Sequence, residues 1–183
     1  INKSLNYFAS VDNKILFPLT IIKGLGEVKA KEIMEERLKG KFESFKDFLI
    51  RTEDIIPFSL INNIIYSGAL DEFNLTKNAM IESAKLHVEL IDYEDVPAMK
   101  GVVYTDEEYP YGTLLEKEKE VLGLDIKYNF FKQYASIYTS KRLTYIKDAK
   151  ENMQIKTLGI LTKLKEIKTK SGELMAFASL EDN

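Results

Sequence analysis

Two glycines and several lysines between predicted helices form the group of residues best suited to chemistry. The run Lys23-Gly24-Leu25-Gly26 places one apolar residue between two glycines, and Lys29 and Lys31 follow shortly afterwards. Glycine tolerates positive φ and lets a partner approach backbone N–H groups closely, and the start of the next helix carries the positive end of the helix dipole. We therefore predict that this hairpin binds one phosphate oxygen, that Leu25 points into the core, and that the lysines supply positive charge. The alternative is a plain turn in which the glycines only end a helix.

A second run, Ser67-Gly68-Ala69-Leu70-Asp71, is similar but keeps a single glycine, Gly68. Lys77 lies near the start of the next predicted helix, where its ammonium could meet a phosphate. A lone glycine is also typical of a turn that ends a helix. At this hairpin the sequence favours helix packing over phosphate binding and leaves both open.

Lysines recur near the end of the chain, on a predicted hairpin whose other strand carries Phe177. Cations that follow phosphates, together with a ring that stacks on bases, suit single-stranded nucleic acid. The alternative is that Phe177 belongs to the core and that the lysines protect the edge of a sheet. The lysines concerned are Lys163, Lys165, Lys168 and Lys170.

The composition excludes several kinds of catalysis. The 183 residues include no Cys and one His, His87, which excludes disulfides, thiolate chemistry and any site that needs two imidazoles. The sequence has no Gly-Lys-Ser/Thr of a P-loop, and no strand is predicted before Gly24. We predict that His87 is partly exposed and inert. We also predict that the carboxylates of the middle segment are solvated rather than bound to metal: Asp92, Glu94, Asp95, Asp106, Glu107 and Glu108.

Charge is segregated along the chain, although the formal net charge is only −3. Residues 14–51 carry nine Lys and Arg against six Asp and Glu, residues 89–120 carry ten acids against three Lys, and residues 141–175 carry nine bases against four acids. Solvated surface is one explanation. No apolar run approaches the roughly 20 residues of a membrane span. Because the chain opens on Ile1 and has no signal-like region, we expect it to be a piece of a longer protein.

Helices must position the first hairpin, and the sequence predicts where they begin and end. A short helix is expected after Pro18, and a second from Glu27 to about Lys39, where Gly40 stops it. The first 91 residues are predicted to form helix, glycine hairpin, helix, twice over, and residues 92–111 to form a loop. Further helix starts are predicted at Ser44, Pro57, Thr76 and Thr113, ends at Gly68 and Gly123, and buried faces at Ala30, Ile33, Met34 and Leu38, at Leu60, Ile61, Ile64 and Ile65, and at Met80, Ala84, Val88 and Ile91.

The pattern changes after about residue 150, where two or three strands are predicted. Met153, Ile155 and Thr157 alternate with polar residues, and a change of phase beside Gly159 predicts a β-bulge. A turn at Ser171-Gly172 would join the lysine-rich strand to an apolar one. Before these strands, an aromatic cluster is predicted to belong to the core: Tyr128, Phe130, Phe131, Tyr134 and Tyr138.

Several stretches together resemble the C-terminal half of the bacterial DNA polymerase III alpha subunit of the DnaE type. Each is modest alone, but their order and spacing match along nearly the whole chain. The connector after Gly123 departs from the family's usual residues, which suggests a divergent branch. The stretches are Ile1-Asn2-Lys3-Ser4, Ile22-Lys23-Gly24-Leu25-Gly26, Phe42-Glu43-Ser44-Phe45-Lys46-Asp47-Phe48, Ser67-Gly68-Ala69-Leu70-Asp71-Glu72-Phe73, Glu118-Lys119-Glu120-Val121-Leu122-Gly123, Thr169-Lys170-Ser171-Gly172 and Met175-Ala176-Phe177-Ala178-Ser179-Leu180-Glu181-Asp182.

The resemblance implies a mainly α fold followed by a small β part. Residues 1–91 would form a tandem helix-hairpin-helix domain that grips duplex DNA, with the first hairpin as the phosphate contact. Residues 92–149 would form an acidic connector with helices, and residues 150–183 the first strands of a truncated OB-fold near the single-stranded template.

The resemblance also implies which chemistry lies elsewhere. The family's catalytic aspartates lie in a palm domain upstream, so we expect no catalytic residue and no cofactor in this chain, and Mg²⁺ only in the active site of the parent polymerase. Implied partners are duplex DNA, single-stranded template, the rest of the polymerase and the replisome, in the cytoplasm and without a membrane. Residues 90–112 lack the Gln-led apolar peptide that contacts the sliding clamp in this family, so clamp binding is not expected of this piece.

Two rival functions stay open. In the first, the chain is a protein-interaction scaffold of the replisome, whose hairpins only pack helices and whose acidic middle docks a partner. In the second, it is an accessory module of DNA repair or of a nuclease, because hairpin pairs recur there. The strands after residue 150 and the segment 118–123 count against the second.

Overall fold

The computed structural model describes residues 1–11, 13–91, 103 and 105–182, and these form a mainly helical structure with a small β part, as predicted. The described residues belong to two compact units, 1–128 and 129–183. The first holds strands β1 (Ala9–Val11) and β2 (Lys14–Leu16) and helices α1 (Glu27–Leu38), α2 (Phe45–Thr52), α3 (Phe58–Tyr66), α4 (Lys77–Ile91) and α5 (Tyr111–Leu122). The second holds α6 (Ala135–Ser140), β3 (Ile160–Lys168) and β4 (Leu174–Glu181).

Local signals set most helix starts in the first unit. The Ser44 hydroxyl accepts from the Asp47 amide at 3.1 Å, and the Asp47 carboxylate accepts from the Glu43 amide at 3.0 Å. Pro57 precedes α3, and the Thr76 hydroxyl accepts from the Ala79 amide at 3.0 Å at the start of α4. Each of these side chains satisfies, or makes unnecessary, a backbone donor that a helix start leaves unpaired. The predicted starts at these three positions are confirmed.

One core joins the helices of the first unit. The predicted stripe Leu60, Ile61, Ile64 and Ile65 of α3 is buried, as are Met80 and Ala84 of α4. A T-shaped pair of Phe42 and Phe48, with ring centroids 5.3 Å apart, adds aromatic packing. This core supports the first hairpin from below, because Leu25 and Leu19 belong to it.

Four predictions about helix faces and starts are wrong. Leu38 is 85% exposed at the last residue of α1, and Val88 is also exposed, because no neighbouring element covers those positions among the described residues. α5 starts after Pro110 rather than at Thr113, which lies inside its first turn. His87 is buried rather than partly exposed, with Nε2 at 3.3 Å from a Glu53 carboxylate oxygen. The side chain of Ile91 lies outside the described residues.

Glu118 shows that a charged helix can still bury an acid. Its side chain is buried in α5 and accepts hydrogen bonds from the amides of Ile126, Lys127 and Tyr128 at 2.9 to 3.0 Å. A carboxylate that accepts several amide bonds remains satisfied away from water. Glu118 therefore fixes the turn that follows α5, which ends at Gly123 with φ 70° as predicted.

The second unit contains a two-stranded antiparallel hairpin formed by β3 and β4. The predicted turn at Ser171-Gly172 is confirmed, with Gly172 at φ 86°. The bulge lies between Leu161 and Lys163 rather than at Gly159, and residues 153–159 are not a strand. Gly159 has a different role, because a Cβ there would lie 2.8 Å from the backbone oxygen of Glu181. No helix among the described residues is long and apolar enough to cross a membrane.

Aromatic residues hold the rest of the second unit together. Tyr138 is buried, stacks on Tyr145 with ring centroids 4.1 Å apart, and hydrogen-bonds the carbonyl of Leu158. The Asp182 carboxylate binds the Ile146 amide and, at 3.3 Å, the Thr157 hydroxyl. Of the predicted aromatic core, Tyr128 and Tyr138 are buried and Phe131 and Tyr134 are half-buried, while the side chain of Phe130 lies outside the described residues.

Candidate nucleic-acid interface

The first hairpin is held in one conformation by contacts from three sides. Gly24 has φ 85°, in the left-handed region that favours glycine. The Asn63 amide group donates to the Lys23 carbonyl at 2.8 Å, and the Lys23 amide donates to the Val121 carbonyl at 2.8 Å. Leu25 is 1% exposed, so the prediction that it anchors the hairpin in the core is confirmed. The peptide groups between Gly24 and α1 are therefore rigidly presented.

The hairpin offers a set of backbone donors to solvent. The first helical hydrogen bond of α1 runs from the Ala30 amide to the Gly26 carbonyl at 3.0 Å, and Gly26 caps the helix without a side chain. Within the part of the chain that the structure describes, the amides of Gly24, Gly26, Glu27 and Val28 donate to no protein acceptor. Such donors at a helix N-terminus, with the dipole behind them, suit an anionic oxygen.

Two lysines of the first hairpin, Lys23 and Lys31, lie in weak surface pairs. The Lys23 ammonium is 3.3 Å from a Glu120 carboxylate oxygen, and the Lys31 ammonium is 3.7 Å from Glu35. Lys29 donates to the carbonyl of Ile55 at 2.7 Å. Exposed pairs of this kind contribute little, so a phosphate can replace the carboxylate partners at small cost. Hydrogen bonds from Lys117 and Lys23 hold the pKa of Glu120 below its usual range.

The second hairpin also turns at a glycine with positive φ, but its charged side chains pair with each other. Gly68 has φ 80°, and Leu70, two residues further on, is fully buried. Lys77 is only 2% exposed, and its ammonium binds the Asp71 carboxylate and the Ile65 carbonyl. Lys77 is therefore committed to an internal ion pair.

The charges of this internal pair shift each other's protonation. Burial lowers the pKa of Lys77, although the Asp71 carboxylate opposes that shift. Burial would raise the pKa of Asp71, but Lys77 and Lys127 together outweigh it and hold that pKa below its usual range. Lys127 reaches the second oxygen of Asp71 at 2.6 Å. Asp71 therefore stays ionised between two ammonium groups.

The helix start beside the second hairpin is also occupied. The Glu108 carboxylate accepts from the amides of Lys77 and Asn78 at 2.8 and 3.2 Å, at the N-terminus of α4. A carboxylate there satisfies the same donors that an external anion would use. The two hairpins thus differ: the first presents open amides, and the second is filled by Asp71 and Glu108.

The C-terminal lysines do not all share one surface. Register pairs Lys165 with Phe177 and Lys163 with Ser179, so Lys163, Lys165 and Phe177 lie on one face of the hairpin. Lys168 pairs with Leu174 on the opposite face, and Lys170 lies in the turn. Phe177 is exposed, so the alternative in which it belongs to the core is wrong.

Metal chemistry finds no site in the described residues. No group of three or more His, Asp or Glu side chains is placed to hold a metal ion there. Glu108 is engaged at α4, while Asp92, Glu94 and Asp95 lie outside the described residues. Two residues that shape the hairpins, Asn63 and Glu108, are not predicted to do so from the sequence. The sequence signal for Asn63 is a pair of asparagines at 62–63 inside a mostly apolar helix.

Residues 1–80 are similar to a motif that is known from other proteins. A family model described as a helix-hairpin-helix motif matches residues 1–80. That range contains both glycine hairpins, helices α1 to α3 and the first residues of α4. Residues 1–80 of the first unit are therefore similar in sequence to the helix-hairpin-helix motif.

The whole chain is similar in sequence to a segment of DNA polymerase III subunit alpha in several bacteria. It is 30% identical over 197 residues to that subunit of Bacillus subtilis (strain 168), and 30% identical over 206 residues to that of Borreliella burgdorferi, in each case over 100% of this chain and 18% of the relative. The subunit of Treponema pallidum is 28% identical over 207 residues, again over the whole chain and 17% of the relative. The chain thus spans less than a fifth of the length of these relatives.

Proposed function

We propose that this chain is a non-catalytic, DNA-binding part of a DNA-directed DNA polymerase, and that its first hairpin holds duplex DNA through sequence-independent phosphate contacts. The observation that carries this proposal is the set of open amides at Gly24, Gly26, Glu27 and Val28 at the start of α1. Backbone donors recognise the phosphate oxygen and not the base, so the contact positions DNA without reading its sequence.

The difference between the hairpins supports a phosphate contact at the first hairpin and not at the second. In the second hairpin, the Asp71 carboxylate already binds the Lys77 ammonium. The Glu108 carboxylate already accepts a hydrogen bond from the amide at the start of α4. We assign the phosphate contact to Lys23, Gly24, Gly26, Lys29 and Lys31, with Leu25 as anchor, and we leave Gly68 and Lys77 in a packing role.

The second unit supplies the other half of the proposal. Lys163, Lys165 and Phe177 share an exposed face, which suits a single strand by charge and stacking. We propose the ranges 1–91, 92–149 and 150–183 as duplex-binding domain, connector and first strands of an OB-fold near the template. Mg²⁺, the catalytic aspartates and the replisome partners would belong to the rest of the polymerase.

The first experiment measures duplex binding by fluorescence anisotropy for wild type, Gly26→Val and Gly112→Val. Both glycines lie at helix starts without a positive φ, and a Cβ at either meets nothing within 4 Å, so both variants should fold alike. We expect Gly26→Val to weaken binding about tenfold or more, because the added side chain would block the approach of a phosphate to the amides, and each hydrogen bond to a charged group contributes about 1.5–3 kcal/mol. Gly112→Val should bind as wild type does.

Salt provides the independent readout. For phosphate contacts, the logarithm of the binding constant should fall linearly with the logarithm of the salt concentration, with a slope of about −0.9 per phosphate contacted. The slope should be shallower for Gly26→Val. Equal affinity and slope for the two valine variants would refute the hairpin contact. If the natively folded chain binds neither duplex nor single-stranded DNA, the scaffold function is favoured instead.

A further inference from the structure

Asn63 of α3 holds one peptide group of the first hairpin from outside that hairpin. Its side-chain amide group donates to the Lys23 carbonyl at 2.8 Å. A trans peptide group is planar, and its C=O and N–H point in opposite directions; the described residues contain no cis peptide bond. Since the Lys23 carbonyl and the Gly24 amide belong to the same peptide group, the bond that turns the carbonyl towards α3 turns the Gly24 amide away from α3.

Gly24 also packs against the face of α3 that carries Asn63. A Cβ at Gly24 would lie 3.3 Å from Leu60 Cδ1 and 3.9 Å from Asn63 Nδ2. Residues three apart are neighbours on one face of a helix, so a single turn of α3 contacts the glycine and the carbonyl before it. Leu60 is buried in the core of the first unit. This packing fixes where the hairpin lies, and the hydrogen bond fixes how its peptide group is oriented.

The preceding peptide group of the hairpin is held by another helix. The Lys23 amide donates to the Val121 carbonyl at 2.8 Å at the end of α5. Two consecutive peptide groups are thus bound by helices that come later in the chain, while the Gly24 amide donates to no protein acceptor among the described residues. Hydrogen bonds in a chain strengthen one another. The contact from Asn63 therefore also makes the Gly24 amide a better donor to an anion.

We propose that Asn63 is a positioning residue for the phosphate contact of the first hairpin: its side chain does not touch DNA, but it aims the Gly24 amide at the phosphate oxygen. The inference deepens the proposed function and rests on it. The second hairpin then contributes to the phosphate contact indirectly, through α3, the helix that leads into it.

The first test measures duplex binding of the 183-residue chain by fluorescence anisotropy, for wild type, Asn63→Ala and Asn62→Ala. The two asparagines are adjacent in α3, and Asn62 Oδ1 has no hydrogen-bond partner among the described residues. Alanine is a better helix former than asparagine, so both variants should fold. We expect Asn63→Ala to weaken binding about 2- to 10-fold, the factor that one neutral hydrogen bond gives, and Asn62→Ala to bind as wild type does.

The Gly24 amide provides a readout that a purely structural role of Asn63 would not change. Labelling with ¹⁵N-glycine gives one amide signal for each of the nine glycines. Carbonyl-¹³C lysine then selects the glycines that follow a lysine, which are Gly24, Gly40 and Gly101. In the DNA-free, fully folded chain, Asn63→Ala should shift the Gly24 signal and leave that of Gly40, after the end of α1, in place. An unmoved Gly24 signal would overturn the positioning role.

The two proposals fail in different ways. If Gly26→Val weakens duplex binding and Asn63→Ala does not, the hairpin contact stands and the positioning role is wrong. If Gly26→Val binds as wild type does, the hairpin contact is rejected and the positioning role with it. In a chain that already carries Gly26→Val, Asn63→Ala should cost a smaller factor than in wild type, because the site it serves is blocked. An equal factor in both backgrounds, or an equal loss in Asn62→Ala, would show that Asn63 does not act through the hairpin.

Discussion

Asp71 illustrates at the scale of one residue how the second hairpin pairs its own charges. Its carboxylate lies between the ammonium groups of Lys77 and Lys127, and a Cβ at Gly68 would lie 3.5 Å from it. A negative group at this turn repels phosphate. It also pairs with Lys77, the lysine that the sequence suggests as a phosphate contact. The same residue therefore stabilises the fold and makes the two hairpins unequal.

We predict that Asp71→Asn destabilises the chain at pH 7 by about 2 kcal/mol, because Lys77 is left buried with a weaker partner. The pKa of Asp71 is held below its usual value in the folded chain, so its stabilising contribution is present above about pH 4 and is lost as the pH falls through the folded pKa. The difference between wild type and variant should therefore shrink in acid. Urea unfolding from pH 7 to pH 2.5 measures it.

The control is Asp125→Asn, which removes an exposed partner 3.6 Å from Lys119. Its effect at pH 7 should stay under about 0.5 kcal/mol. Other carboxylates with lowered pKa, such as Glu36 and Glu120, are common to both proteins and cancel in the difference. A difference that grows in acid would contradict the charge arrangement at Asp71.

At the scale of elements, Arg51 joins the end of α1 to α2. Its guanidinium donates to the carbonyls of Glu36 and Gly40 at 2.6 and 3.0 Å, and to the Glu36 carboxylate at 3.1 Å. It also lies 4.5 Å from the centroid of the Phe42 ring. The planar fork thus binds one carbonyl in the last turn of α1 and one just after that helix.

We predict that Arg51→Lys lowers the free energy of unfolding by about 1–3 kcal/mol, because an ammonium keeps the charge but cannot reach the same acceptors. Lys31→Ala, which removes an exposed pair with Glu35 at 3.7 Å, should change it by less than about 0.5 kcal/mol. Urea denaturation followed by far-UV circular dichroism compares them. Equal losses would show that charge, and not the fork geometry, joins the helices.

Which elements the sequence predicts follows from how local their causes are. Ser44, Pro57 and Thr76 act on the next few residues, so their helix starts are confirmed from the sequence. Leu38 and His87 depend on what packs over them, which periodicity does not contain, and both predictions are wrong. The glycine spacing of the first hairpin is itself a local pattern, so the sequence is enough to predict that hairpin. The helix start beside the second hairpin is occupied by Glu108, which is distant in sequence from α4, so the sequence does not predict that contact.

At the scale of the whole molecule, the two units differ in how many of their residues are buried. The first unit buries α3 and α4 in one core, with Ile64, Ile65 and Met80 fully enclosed. In the second, every residue of β4 is exposed, and β3 and β4 pair only with each other among the described residues. A two-stranded hairpin is marginal by itself, so stability cannot be uniform along the chain.

We predict that amides of β3 and β4 exchange with deuterium at least about tenfold faster than those of α3 and α4, since opening the hairpin exposes little new apolar surface. Hydrogen exchange followed by mass spectrometry measures both in one sample. Because the exposed face carries Lys163, Lys165 and Phe177, a single-stranded oligonucleotide should slow exchange in the hairpin, while blunt duplex should not. Equal protection of β3 and α3 in the DNA-free chain would mean that the hairpin is already covered, and its face would then be unavailable to a single strand.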